Sequence, residues 1–139
     1  MLPVGWESAD PGFHVGGARY SVIMAGGDGV RITFREITLD DPASNYYRRG
    51  RIAGLAALGR SLRDSGAVLS DTGVTEFFYG GRRFAGYEYA GTAGPRRVVV
   101  FAAKERFFEC EAFSARPLAR RSGYDSLFSA QQSVLRSLR

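Results

Sequence analysis

The stretch Val98-Val99-Val100-Phe101-Ala102-Ala103-Lys104-Glu105-Arg106-Phe107-Phe108-Glu109-Cys110-Glu111-Ala112-Phe113-Ser114 decides the fold class. Two runs of β-branched and aromatic residues flank the polar pair Lys104-Glu105, which is short enough for a hairpin connection. In the second run Phe108, Cys110 and Ala112 fall on one side and Glu109 and Glu111 on the other, the period of a strand with one buried face. Cys110 is thereby expected in the core as an inert thiol, because no neighbouring base or helix start is evident to lower its pKa.

Moving towards the N-terminus, the run Gly91 to Pro95 separates this hairpin from another pair of strands, Val74 to Tyr79 and Phe84 to Tyr89, joined across Gly80-Gly81. Before them lies a helix. Asp40-Asp41-Pro42-Ala43 supplies an acid to accept the first unpaired amides and a proline tolerated in the first turn. Tyr47, Ile52, Leu55, Leu58 and Leu62 then recur at helical spacing down to Gly66, a suitable stop. Gly50, Gly54 and Gly59 each cost roughly 1 kcal/mol relative to alanine inside a helix, and close approach to a sheet is the expected compensation. Further back, Tyr20, Val22 and Met24 alternate, as do Val30, Ile32 and Phe34, with Gly26-Gly27-Asp28-Gly29 between them as a hairpin loop.

Towards the C-terminus, Pro117 breaks the strand pattern and Ser122-x-x-Asp125 resembles a helix start. Tyr124, Leu127, Phe128, Gln131, Val134, Leu135 and Leu138 trace one face of a closing amphipathic helix expected to pack on the sheet. The order is β-β-α-β-β-β-β-α after a short N-terminal segment, which reads as an α+β fold with an antiparallel sheet and flanking helices. With no internal repeat or linker, residues 1–139 are expected to form one domain. The opening Leu2-Pro3-Val4-Gly5-Trp6 reads like the start of a domain from which a leader or lipid anchor has been removed.

The 139 residues are 45% hydrophobic and 24% charged, which disfavours disorder and collagen-like order. One cysteine, Cys110, and one histidine, His14, exclude a disulfide framework and a zinc site built from several Cys and His. Of 19 basic residues Lys104 is the single lysine, and the formal charge is +5. The arginines, including Arg48, Arg49, Arg51, Arg82, Arg83, Arg96, Arg97, Arg120 and Arg121, are dispersed among acids, which reads as a mildly basic solvated surface. No run approaches the about eighteen apolar residues needed to span a bilayer. As written the chain is expected to be cytoplasmic; removal of a leader or lipid anchor would place it in the cell envelope or periplasm.

Together Pro3-Val4-Gly5-Trp6, Gly80-Gly81-Arg82-Arg83-Phe84-Ala85-Gly86-Tyr87 and Ser133-Val134-Leu135-Arg136-Ser137-Leu138, set in this element order, resemble the PsbP-like superfamily. That superfamily also holds the Ran-binding nuclear-import factor and bacterial DcrB-like proteins. The resemblance covers nearly the whole chain. It implies an α/β/α sandwich and a non-enzymatic, protein-binding role as an assembly factor, small-GTPase binder, envelope lipoprotein or secretion chaperone. No ligand set matches the manganese or calcium sites of some photosynthetic members.

Chemistry-bearing residues are sparse. His14, in a loop-like stretch from Pro11 to Gly17, is the only imidazole, so a hydrolytic triad has one candidate base. Glu109 and Glu111 share a strand face, an arrangement suited to acid–base work in a cleft or, more simply, to solvating an exposed face or pairing with neighbouring arginines. Asp40 and Asp41 read as helix-start acids rather than metal ligands. Neither a Rossmann fingerprint nor a Walker loop occurs, and Gly26 to Gly29 joins two strands rather than opening a helix. No catalytic residue, cofactor or metal is therefore assigned.

The aromatic content is the sharper clue. Phe77, Tyr79, Tyr87, Tyr89, Phe101, Phe107 and Phe113 exceed what a two-layer core obviously needs, and strands favour aromatics in any case. Beside arginine they make a plausible hot-spot composition. The expected function is a bacterial-type accessory or chaperone-like module that holds a protein partner through Tyr79, Arg82, Arg83, Tyr87 and Tyr89. The alternatives are electrostatic binding of nucleic acid or anionic membrane by the arginine pairs, and a small-ligand carrier or enzyme using Glu109, Glu111 or His14.

Overall fold

A computed structural model describes residues 7–9, 14–15, 18–25, 29–48, 51–64, 73–103 and 105–138. The elements are β1 (Glu7–Ala9), β2 (His14–Val15), β3 (Ala18–Ala25), β4 (Val30–Ile37), α1 (Asp41–Arg48), α2 (Ile52–Arg63), β5 (Thr75–Tyr79), β6 (Arg82–Gly91), β7 (Gly94–Ala103), β8 (Arg106–Ser114) and α3 (Arg121–Arg136). The strands form one antiparallel sheet in the order β1-β3-β4-β8-β7-β6-β5, and β2 pairs with β3 beside that path.

The 98–114 hairpin forms as its alternation requires, with Val99 opposite Cys110 and Phe101 opposite Phe108. Alternation then sorts the side chains of β6, β7 and β8 onto two faces. On one face Phe84, Val99, Phe101, Cys110 and Ala112 pack against Tyr124, Leu127, Phe128, Val134 and Leu135 of α3. On the other face Ala85, Val98, Val100 and Phe107 pack against Ile52, Leu55 and Ala56 of α2. The two helices thus occupy opposite faces. Register adds a feature invisible to local pattern: Phe77, Phe84, Phe101 and Phe108 lie opposite one another across β5, β6, β7 and β8. Their ring centroids are 4.9, 5.6 and 5.7 Å apart in sequence across the sheet. Such cross-strand aromatic pairs stabilise neighbouring strands beyond the area they bury.

Several expectations need correction. Two short strands, β1 and β2, precede the anticipated first pair, and His14 belongs to β2, opposite Arg19, rather than to a loop. The single helix expected from Asp40 to Gly66 is two helices. Main-chain bonds from Arg51 N–H to Tyr47 O and from Leu55 N–H to Arg51 O, both 3.2 Å, run through the junction. Arg51 itself is non-helical, at φ −98° and ψ 39°. The local sequence Arg48-Arg49-Gly50-Arg51 explains the break, since crowded like charges and a glycine both weaken helix.

Within α2 the buried stripe is Ile52, Leu55, Ala56 and Ala57, while Leu62 is 79% exposed, so the apolar stripe drawn through Leu58 and Leu62 was out of phase. Gly59 lies on the sheet side: a Cβ there would stand 3.1 Å from the Tyr87 hydroxyl, which gives that glycine the close approach expected of it. The helix-start signal at Ser122 and Asp125 does not cap α3; the helix begins at Arg121, and Asp125 pairs back to Arg121 at 3.0 Å. Asp40 does act as a helix-start acid, accepting from Ala43 N–H at 2.8 Å. The expectations for Pro3 to Trp6, Gly26 to Asp28, Gly50, Gly66 and Lys104 lie outside the described residues.

Candidate functional site

Glu109 and Glu111 are brought to the α2 face of β8, and both are engaged by arginines. Glu109 is 5% exposed, and its Oε1 accepts from Arg35 Nε at 2.8 Å, from Arg35 Nη2, and from Arg63 Nη2 at 2.5 Å. Arg35 lies directly across the ladder from Glu109, and Arg63 reaches down from the last turn of α2. The second guanidinium nitrogen of Arg63 donates to the Tyr87 hydroxyl at 2.9 Å. Burial acts to lower the Arg63 pKa, but Glu109 and Tyr87 outweigh it and hold the guanidinium above its ordinary range. Burial pushes the Tyr87 hydroxyl up to about 12. One strand step away, Tyr89 donates to Glu111 Oε2 at 2.7 Å, and Arg96 Nε stands 2.5 Å from the same oxygen. Burial first, and then the bond to Glu111, raise the Tyr89 pKa.

This cluster works as a clamp. It joins β4, β6 and β8 to the C-terminal end of α2, and both carboxylates are committed to partners within the protein. Two of the five side chains expected to hold a partner, Tyr87 and Tyr89, belong to it. Tyr87 is 3% exposed, so its ring is covered by packing rather than presented at a surface.

The remaining three lie at the opposite margin, on the β5–β6 hairpin. Gly80 and Gly81 make its two-residue turn with φ of 59° and 76°, the left-handed backbone that such hairpin turns demand. Tyr79 and Arg82 flank the turn as a cross-strand pair, and Phe78 pairs with Arg83 one step back. Phe78 and Tyr79 are 62% and 50% exposed. Alternation puts Tyr79 and Arg82 on the α3 face and Phe78 and Arg83 on the α2 face. The Arg83 guanidinium sits 4.9 Å from the Phe78 ring centre, and Arg136, at the end of α3, sits 5.5 Å from that of Tyr79. Arg82 lies 5.8 Å from the Phe101 ring and Arg97 lies 5.9 Å from that of Phe77, so guanidiniums line the outer end of the phenylalanine ladder.

Sequence reasoning missed Phe78, whose exposure depends on which strand ends the sheet, and Arg136, whose approach depends on how α3 crosses it; Arg97 it named only among the dispersed arginines. It placed Gln131 on the packed face of α3 but gave it no role. This residue is fully buried in the apolar face of α3, where its amide nitrogen donates to the carbonyls of Cys110 at 2.9 Å and Arg97 at 3.1 Å. Its oxygen accepts from Arg97 Nη1 at 3.0 Å, and Gln132 accepts from Nη2 at 3.0 Å. Burial lowers the pKa of the Arg97 guanidinium, against the opposing influence of Cys110 and Glu88. Cys110 is fully buried, and burial pushes its thiol up to about 12, the setting of an unreactive sulfur.

Among the described residues no group of three or more His, Cys, Asp or Glu side chains could hold a metal ion, and no helix is long and apolar enough to cross a membrane. No family model matches the chain, and neither a curated protein nor a solved structure matches it significantly. The described residues form two assemblies of candidate side chains: a closed polar clamp on the α2 face and an open aromatic and arginine rim on the β5–β6 hairpin.

Proposed function

We propose that the chain is a non-enzymatic protein-binding accessory module of the chaperone-like, bacterial type, and that it holds its partner at the β5–β6 rim. The observation that carries this reading is the pair of exposed rings, Phe78 and Tyr79, each with an arginine stacked on it. Rigid aromatic faces and planar guanidiniums bury large areas at little entropic cost, which is why they dominate binding energy where proteins meet. The commitment of Glu109 and Glu111 to arginines supports it further, because those carboxylates were the main alternative for chemistry. Helices on both faces of an antiparallel sheet agree with the α/β/α sandwich that the PsbP-like resemblance implies. In this reading the site is Tyr79, Arg82, Arg83 and Phe78, joined by Arg136, while Tyr87 and Tyr89 support the scaffold behind it.

A display selection tests this. Peptides and small domains are selected on the intact protein and then counter-screened on Tyr79→Ala and Arg82→Ala variants whose melting temperatures match the parent. Enrichment of ligands that lose about tenfold or more in affinity on either variant is expected, the scale of a single interface hot spot. Ligands indifferent to both substitutions would show that the rim is not where partners bind.

A further inference from the structure

We infer that the outer edge of β5 accepts an extended acidic segment of the partner protein as an additional strand, with its carboxylates seated among Arg82, Arg97 and Arg136. This deepens the protein-binding reading above and rests on it.

The edge itself is the first observation. Among the described residues β5 ends the strand order, so one of its sides carries main-chain N–H and C=O groups with no neighbouring strand. Outer strands are normally blunted by lysine, proline or a bulge, because an open edge is a template for pairing. The segment Thr75-Glu76-Phe77-Phe78-Tyr79 has none of these: it pairs with β6 over all five residues without a register shift and carries one charge, Glu76. An extended chain is the ligand whose main chain satisfies such an edge, and pockets for alternate side chains then set its sequence.

Charge supplies the sequence. Thr75, Phe77 and Tyr79 project on the α3 face, where Arg97 approaches Phe77, Arg136 approaches Tyr79 and Arg82 lies opposite Tyr79. Elsewhere Arg35, Arg63, Arg96, Arg106 and Arg121 each lie within 4.0 Å of a carboxylate. Arg82, Arg97 and Arg136 have no carboxylate at that distance among the described residues. Arg97 donates to two neutral amides, and the acid that acts on it, Glu88 opposite it across the β6–β7 ladder, is bonded to Arg121. The single acid of β5, Glu76, points to the other face, with Phe78. Side chains on one face of a strand recur about every 7 Å. A strand laid against β5 with Asp or Glu at alternate positions therefore puts carboxylates along the arginine margin and leaves apolar residues beside Phe78. Arginine suits this role, since its planar fork takes a carboxylate in a two-bonded grip.

The test uses the full chain and a short, end-blocked peptide alternating glutamate with valine. Peptide binding is read by anisotropy, and main-chain hydrogen exchange is read over residues 75–79. Controls are the same peptide with lysine for glutamate, the glutamate peptide N-methylated at alternate amides, and a single-stranded oligonucleotide of equal charge. The glutamate peptide is expected to bind and to slow exchange across β5, and both modified peptides are expected to bind at least about tenfold more weakly. Arg82→Gln and Arg136→Gln, each with an unchanged melting temperature, should weaken binding roughly fivefold, the scale of a partly exposed charge pair.

Indifference to N-methylation, exchange at β5 unchanged on saturation, or displacement of the peptide by the oligonucleotide would overturn strand addition. So would protection of β5 that rises with protein concentration alone, which would assign the edge to a second copy of the chain. A peptide footprint elsewhere would sink strand addition while leaving the protein-binding reading standing. Absence of binding by the peptide, together with no selected ligand sensitive to Tyr79→Ala, would remove both.

Discussion

Glu109 is the residue on which the α2 face turns. Removing one partner from a buried ion pair leaves the remaining charges desolvated and uncompensated, a cost of about 3 kcal/mol. In Glu109→Gln an amide oxygen can still accept, but Arg35 and Arg63 lose the negative charge they share. That variant should melt about 10 °C lower than the parent, and calorimetry checks it. A change within about 2 °C would show that the clamp contributes little. Tyr87, its neighbour, makes stability depend on alkaline pH. Its folded pKa of about 12 lies above the ordinary 10.0 because burial favours the neutral hydroxyl. The associated stabilisation is complete below pH 10 and is lost as pH climbs through about 12. Denaturant melts across that window should show a steep alkaline decline, less steep in Tyr87→Phe. An identical decline in the variant would assign the effect to other groups.

At the scale of elements, the β5–β6 hairpin depends on its turn. Gly80 and Gly81 both have positive φ, and no atom lies within 4 Å of where a Cβ would sit on either, so alanine meets backbone strain alone. Gly81→Ala should cost about 1 kcal/mol and lower the melting temperature by about 3 °C, with weaker ligand capture at the rim because Tyr79 and Arg82 flank the turn. An unchanged melting temperature would show that the turn relaxes freely. Much at this level was legible from pattern. The bounds of β8, Arg106 to Ser114, follow from strict alternation, and the buried face of α3 follows from its 3.6-residue period. Where several phases were open, pattern failed. Leu58 and Leu62 offered α2 an alternative apolar stripe, yet the small residues Ala56 and Gly59 mark the buried side because the sheet comes close there. The break near Arg51 has charge and glycine as its signal, but these compete with a continuous apolar spacing on either side.

For the whole molecule, what local pattern cannot carry is which strands become neighbours. The chain order places β4 far from β8, yet they pair over eight positions, and that pairing sets Arg35 against Glu109. The same topology divides the aromatic and arginine residues that composition had grouped into one surface. Tyr87 and Tyr89 go to the clamp, Phe77 and Phe101 go to a ladder in the core, and Tyr79 remains at the rim, where Phe78, outside that group, joins it. The central claim is that this rim meets a protein. Site-specific photocrosslinking in the producing cell tests it most directly, with a photoreactive phenylalanine at Tyr79 and, as a control, at exposed Thr92 in the β6–β7 turn. One discrete protein adduct is expected from position 79, lost when Arg82 and Arg136 are both changed to glutamate, and none from position 92. Equal adducts from both positions, or adducts at position 79 only with nucleic acid or lipid, would contradict it.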